Sequence, residues 1–186
     1  MRAELPEKLP AVGEKIRKET GLTMRYDFNY CTFSYSMAFW DWERWEKEID
    51  WMALHGINMP LAIVGMESAW RNMLLRLGYS EKEVGDFIAG PGFIAWWAMN
   101  NLEGWGGPLP QSWYEAQERL QKKILKRMRE YGMTPVLPGY CGMMPHDADT
   151  RLGLDVIKGD LWNGYVRPSN LLPTDPRFDE IADIYY

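Results

Sequence analysis

Glu67 is the only acidic residue that falls naturally where a short apolar run, Ile57 to Val64, gives way to a loop. A carboxyl so placed could do acid–base or nucleophilic work, as in hydrolysis between two carboxyls flanking the bond to be broken. The same residue also reads as a first-turn glutamate favoured by the helix macrodipole. Asp41 reads similarly as an N-cap ahead of Trp42, and Asp147 and Asp149 read as loop residues facing water. His55 and His146 lack a partnering G-x-S-x-G serine. No His, Cys, Asp or Glu cluster has metal-ligand spacing, Cys31 and Cys141 included, so neither metal nor cofactor is expected. Other run ends carry a different chemistry. Asn29, Cys31, Thr32 and Tyr35 follow one run, and Gly139, Tyr140, Cys141, Gly142 and His146 follow another. Amides, hydroxyls and aromatic faces in such places suit a polyol.

Elements that could position these groups are visible in the periodicity. Trp42, Trp45, Ile49 and Met52 recur on one helical face, and Gly56 marks that helix's end. Trp113, Ala116, Leu120, Ile124, Met128 and Tyr131 predict a second helix, with Ser112 and Glu115 as its capping box and Gly132 as its stop. Shorter helices are expected over Glu67 to Leu77 and, capped by Ser80 and Glu83, toward Ile88. Strands are expected near Met24 to Cys31, within Ile57 to Val64 and within Met133 to Pro138, the prolines at 60, 135 and 138 suiting strand ends better than centres. The alternation of strand and helix predicts an α/β fold with a parallel sheet. No G-x-G-x-x-G follows a strand, which favours a (β/α)8 barrel over a dinucleotide-binding sheet. A full barrel takes about 250 residues. This chain of 186 offers about the first three βα units, a partial TIM-like barrel whose sheet needs the remainder to close. Residues 1–23 read as a lead-in and 24–186 as the barrel portion, truncated at the carboxyl end inside a helix over Thr174 to Tyr186.

Composition narrows the partners. The net charge is −5, from 21 basic and 26 acidic residues, and the basic ones are scattered. No basic stripe exists to track nucleic-acid phosphates. No run approaches the roughly 18 apolar residues of a membrane span. Met1 to Pro10 is polar and does not read as a signal peptide, so an exported parent (periplasmic, extracellular or lysosomal) would carry its address elsewhere. The ten tryptophans are expected mostly in the core, with some left to stack on sugar.

Residues 25–42, RYDFNYCTFSYSMAFWDW, continuing through ERWEKEIDWMALHGIN, resemble the start of the catalytic barrel in glycoside hydrolase family 89, the alpha-N-acetylglucosaminidases. The resemblance continues at Gly65 to Trp70, at GPGFIAWWAMNNLEGWGGPLPQSW over 90–113, and at YGMTPVLPGYCGMMP over 131–145. It implies part of an exo-acting retaining glycosidase releasing terminal alpha-linked N-acetylglucosamine from glycans, and it places Asn29, Cys31, Tyr35, Trp96 and Met99 in the substrate pocket. The family's two catalytic glutamates lie on later strands, one in an Asn-Glu pair, and no such dipeptide occurs here. The chain alone is therefore expected to be inactive. A stand-alone carbohydrate-binding or interaction module is the alternative. Met66 stands where the family pattern has glutamine.

Overall fold

The computed structural model describes residues 7, 8 and 10–186, so part of the polar stretch Met1 to Pro10 lies outside the described residues. From residue 10 the chain runs to β1 (Tyr26–Asp27) without helix or strand. Asn58 ties that approach down: its Oδ1 accepts the Arg25 N–H at 2.8 Å and its Nδ2 donates to the Thr23 carbonyl at 2.9 Å. β1 lies parallel to β2 (Met59–Pro60). On β2's other side Leu61 bridges Val136, again in parallel. Proline explains the short ladders. Pro60 and Pro135 donate no N–H, so pairing survives through the neighbouring residues, Ala62 N–H to the Val136 carbonyl and Val136 N–H to the Pro60 carbonyl, both at 2.9 Å.

Helices follow β1 and β2. A short helix α1 (Tyr30–Thr32) passes into a π-helical turn over Phe33–Met37 and then α2 (Trp42–Leu54). Asp41 caps α2 as expected, accepting the Arg44 N–H at 2.9 Å. After β2 come α3 (Met66–Arg76), α4 (Glu81–Phe87), α5 (Ile94–Ala98) and the long α6 (Gln111–Glu130). The Ser80–Glu83 capping box on α4 is complete in both directions. The one expected for α6 is not formed. Pro110, at φ −73° and ψ 154°, already sets the helix start, which leaves Ser112 inside the first turn and Glu115 accepting instead from Gln111.

Two hydrophobic clusters hold these layers together. Ile49 and Met52 of α2 and Ile124 and Met128 of α6 cover Leu61 and Ile63, as outer helices cover a barrel strand. Trp70, Met73, Leu74, Ile88, Trp97, Met143 and Met144 fill the second cluster, between α3, α4, α5 and the segment beyond the third strand. The face of α6 differs from its apolar stripe: Ala116 and Tyr131 are exposed, while Tyr114 is buried and Gln121 turns inward. Gln121 Nε2 donates to the Ala62 carbonyl at 2.6 Å, so a polar residue closes the backbone beside β2. Of the tryptophans, Trp45, Trp70 and Trp97 are fully buried; most of the others are half-buried at the surface of these clusters, short of the core filling expected.

The final third was not foreseen as sheet. β3 (Met143–Met144), β4 (Val156–Lys158) and β5 (Ser169–Leu171) form an antiparallel sheet in the order β3-β5-β4. A short α7 (Ala148–Leu152) lies between β3 and β4. Asp149, expected to face water, pairs with Lys158 at 2.7 Å across this excursion. The closing helix α8 (Phe178–Tyr185) packs on α3.

Candidate functional site

The carboxyl ends of the three parallel segments meet on one side of the molecule. β1 leaves through Phe28, whose φ of 71° is unusual for a bulky side chain and marks strain at the strand exit. Phe28 is held edge-on against Phe33 and Trp45, at 5.9 Å in each case. Asn29 then caps α1: its Oδ1 accepts the Thr32 N–H at 3.1 Å, and among the described residues its amide NH2 is left to donate. Cys31 is a half-buried free thiol one residue into α1. Burial, and after it the neighbouring Cys141 and Tyr26, pushes the Tyr30 hydroxyl pKa up.

The π-turn aims its residues in alternate directions. Phe33 and Met37 go into the core, Ser34 Oγ accepts the Ala95 N–H at 3.2 Å, and Tyr35 stands 70% exposed. That contact seats α5 beside the turn. Trp96 of α5 meets Tyr35 edge to face at 5.7 Å, and Met99 closes the same helix with its N–H on the Ala95 carbonyl. Asn29, Cys31, Tyr35, Trp96 and Met99 are thus carried by two adjoining helical pieces. The structure adds a residue that the sequence reading passed over. Trp162 stacks on Trp96, centroids 5.6 Å apart and planes 27° apart. The available signal was Asn163-Gly164, both at positive φ (47° and 85°), a type I′ hairpin tip flanked by Trp162 and Tyr165. Tyr165 in turn packs edge-on against Trp105 at 4.9 Å.

Glu67 does not join this wall. It is 2% exposed at the second position of α3, and its Oε1 accepts the Trp113 indole N–H at 2.8 Å. Burial raises its pKa, partly opposed by its own backbone N–H and the Trp113 bond. It sits beneath the π-turn, among Phe33, Met37, Ile63 and Gln117. Its position explains how Trp113 and the turn are fixed. Among the described residues, no group of three His, Cys, Asp or Glu side chains is placed to hold a metal ion, and no helix is long and apolar enough to cross a membrane.

A second acid, Glu103, sits behind the wall. Its Oε1 accepts the His146 backbone N–H at 2.6 Å. Burial pushes its carboxyl up to about 8, with the His146 bond opposing and Asp147 adding to the rise. The same hollow holds Tyr79, Glu83, Asp86 and His146, and Arg151 reaches it through its pair with Glu83. A carboxyl raised in the folded state favours its protonated form there. Its contribution to stability is present below the ordinary carboxylate range and is lost as pH rises through about 8. Chemical denaturation from pH 5 to pH 9 should therefore show stability falling, and Glu103→Gln should flatten that slope. An unchanged slope in the variant would place the titration elsewhere.

A parallel β-α run whose strand exits carry amide, thiol, hydroxyl and aromatic groups matches part of a TIM-barrel domain, without a closed barrel among the described residues; in that fold sites form at the strands' carboxyl ends. Residues 25–186 match the family described as the alpha-N-acetylglucosaminidase (NAGLU) TIM-barrel domain, and the chain belongs to that family. Human alpha-N-acetylglucosaminidase is 45% identical over 187 residues, an alignment covering 97% of this chain and 25% of the human protein. Among solved structures, the family 89 glycoside hydrolase from Clostridium perfringens in complex with 2-acetamido-1,2-dideoxynojirmycin is 40% identical, with a TM-score of 0.91 over 98% of this chain. The same enzyme, with two glutamates changed to glutamine and bound to its substrate GlcNAc-alpha-1,4-galactose, gives a TM-score of 0.92. This chain spans about a fifth of that enzyme and a quarter of the human protein.

Proposed function

We propose that the chain forms the first three βα units of an exo-acting retaining glycosidase that releases terminal alpha-linked N-acetylglucosamine, and that it supplies one wall of the sugar pocket. The observation that carries this reading is the seating of Tyr35 edge-on against Trp96, beside Asn29 and Cys31 at the first strand's exit. The relatives' substrate complex with GlcNAc-alpha-1,4-galactose supports the choice of sugar.

Each group has a task that its chemistry suits. The amide hydrogens of Asn29 and the exposed hydroxyl of Tyr35 donate to sugar oxygens. Trp96 offers an apolar face to the ring's C–H surface, and Met99 a flexible thioether to the acetamido methyl. The small Cys31 side chain lets the sugar approach the backbone. A retaining reaction needs two carboxyls about 5–5.5 Å apart, one attacking the anomeric carbon and one protonating the leaving oxygen. Glu67 is bonded to Trp113 and enclosed, and no Asn-Glu pair occurs in the chain. The parent's remaining barrel supplies both acids and also closes the sheet. Among the described residues, the Val136 segment pairs only on its Leu61 side.

The 186-residue chain, given a chromogenic alpha-N-acetylglucosaminide, is expected to show no turnover. Robust hydrolysis would overturn the placement of both acids outside it.

A further inference from the structure

Trp162 reaches Trp96 from a hairpin that belongs to neither the parallel strands nor the helices covering them. A single aromatic stack contributes little beyond its burial, so the seating of that hairpin needs further contacts. Arg167, on the returning arm of the hairpin, is placed to supply them. Its Nε donates to the Asn100 carbonyl at 2.9 Å, one residue beyond Met99 at the end of α5. Its guanidinium comes close to Gly159, just beyond β4 on the opposite arm of the hairpin: a Cβ on Gly159 would stand 3.2 Å from Nη1 and 3.4 Å from Cζ. One side chain therefore touches both arms of the hairpin and the helix that carries Trp96.

The backbone of Arg167 is fixed as well. Its carbonyl lies 3.0 Å from His146 Nδ1, and the neighbouring Val166 carbonyl accepts the Glu103 N–H at 3.0 Å. Glu103 Oε1 in turn accepts the His146 N–H. At the hairpin's base, the fully buried Ser169 donates to the Pro145 carbonyl at 2.8 Å. These bonds converge on the residues beside Arg167, so the guanidinium works from a rigid platform. Asn100 has a φ of 64°, which turns the end of α5 at the point where Arg167 meets it.

We propose that Arg167 is a positioning residue that braces the hairpin to the end of α5 and so holds the Trp162 indole against Trp96. It touches no sugar itself. Its effect on the pocket rests on the reading of Trp96 and its surroundings as the sugar wall, whereas its effect on the two indoles does not. An arginine suits the task because a planar guanidinium can come close to a glycine while donating in its own plane; a lysine can supply the bond but not the guanidinium contact.

Two measurements separate the brace from the pocket. Near-UV and far-UV circular dichroism of the chain should contain a coupled-indole component from Trp96 and Trp162 that Trp162→Phe removes. Arg167→Ala should remove most of the same component, and Arg167→Lys should keep part of it. An Arg167→Ala spectrum like that of the parent sequence would overturn the proposal. Should the alanine variant fail to fold, Arg167→Gln, which keeps a stem but is too short to reach Asn100, is read for the same two outcomes. In the full-length enzyme, Arg167→Ala should raise KM for a chromogenic alpha-N-acetylglucosaminide about tenfold, with kcat changed far less. Loss of the dichroic component with unchanged KM would leave the brace standing and remove the Trp96–Trp162 wall from the pocket.

Discussion

Replacing Trp70 by alanine is expected to cost about 3–5 kcal/mol of stability, the range for a fully buried aromatic. Trp70 is 2% exposed on α3 and meets three partners that are distant in sequence. Its ring lies edge-on to Trp97 of α5 at 5.8 Å, tilted to Tyr140 beyond the third strand at 5.8 Å, and edge-on to Tyr185 of α8 at 5.3 Å. One indole thus joins the helix after β2, the helix carrying Trp96 and the end of the chain. Among the described residues its N–H has no hydrogen-bond partner, so packing supplies the stabilisation. Trp70→Phe should accordingly cost much less than Trp70→Ala, because it keeps an aromatic ring in the same space. Equal losses for both, by thermal or urea unfolding, would show that the indole's outer ring carries the contacts.

Gly104→Ala is the second large effect expected, for a backbone reason. Gly104 has a φ of 59°, and an added Cβ would stand 2.2 Å from the Asp86 carbonyl oxygen. No side-chain rotation relieves contact with a backbone atom. The left-handed conformation costs an alanine about 1–2 kcal/mol, and overpacking adds about 1–3 kcal/mol. The loop cannot easily withdraw, because the Gly104 N–H is bonded to the Phe87 carbonyl at 2.9 Å at the end of α4. Unfolding of the variant should show a loss of about 2–5 kcal/mol. A neutral result would mean that this loop moves freely away from α4.

The sequence was readable where local chemistry and tertiary structure agree. The Trp42-Trp45-Ile49-Met52 stripe became α2 because it serves its helix and also faces a core, and the Ser80–Glu83 box became the start of α4, whose Val84 and Phe87 are buried. On α6 the two demands part. Gln121 lies toward the sheet to bond the Ala62 carbonyl, so an apolar count misplaces the face toward Ala116. The parallel strands could be placed from the short runs after Gly56 and Gly132, but not their extent, since prolines cut the ladders to a few bonds. The β3-β5-β4 sheet escaped because its strands are two or three residues long and draw their order from long-range contacts such as Ser169 to Pro145.

The proposed site divides along the same line. Asn29, Cys31 and Tyr35 sit on one continuous stretch, and the structure brings Trp96 to Tyr35 through the Ser34–Ala95 bond. Trp162 comes from 66 positions beyond Trp96, on a hairpin whose tip only the Asn163-Gly164 pair announces. Glu67, following a strand, could be read from sequence either as a chemical residue or as a first-turn glutamate favoured by the helix macrodipole. Its bond to Trp113 shows a carboxyl engaged in holding the floor of the turn.

The most direct test of the sugar wall is Trp96→Ala in the full-length enzyme that carries this segment, assayed on a chromogenic alpha-N-acetylglucosaminide. Loss of the stacking face should raise KM at least about tenfold, or about 1.4 kcal/mol in binding. Kinetics unchanged from those of the parent enzyme would contradict the account and remove Trp96 from the pocket.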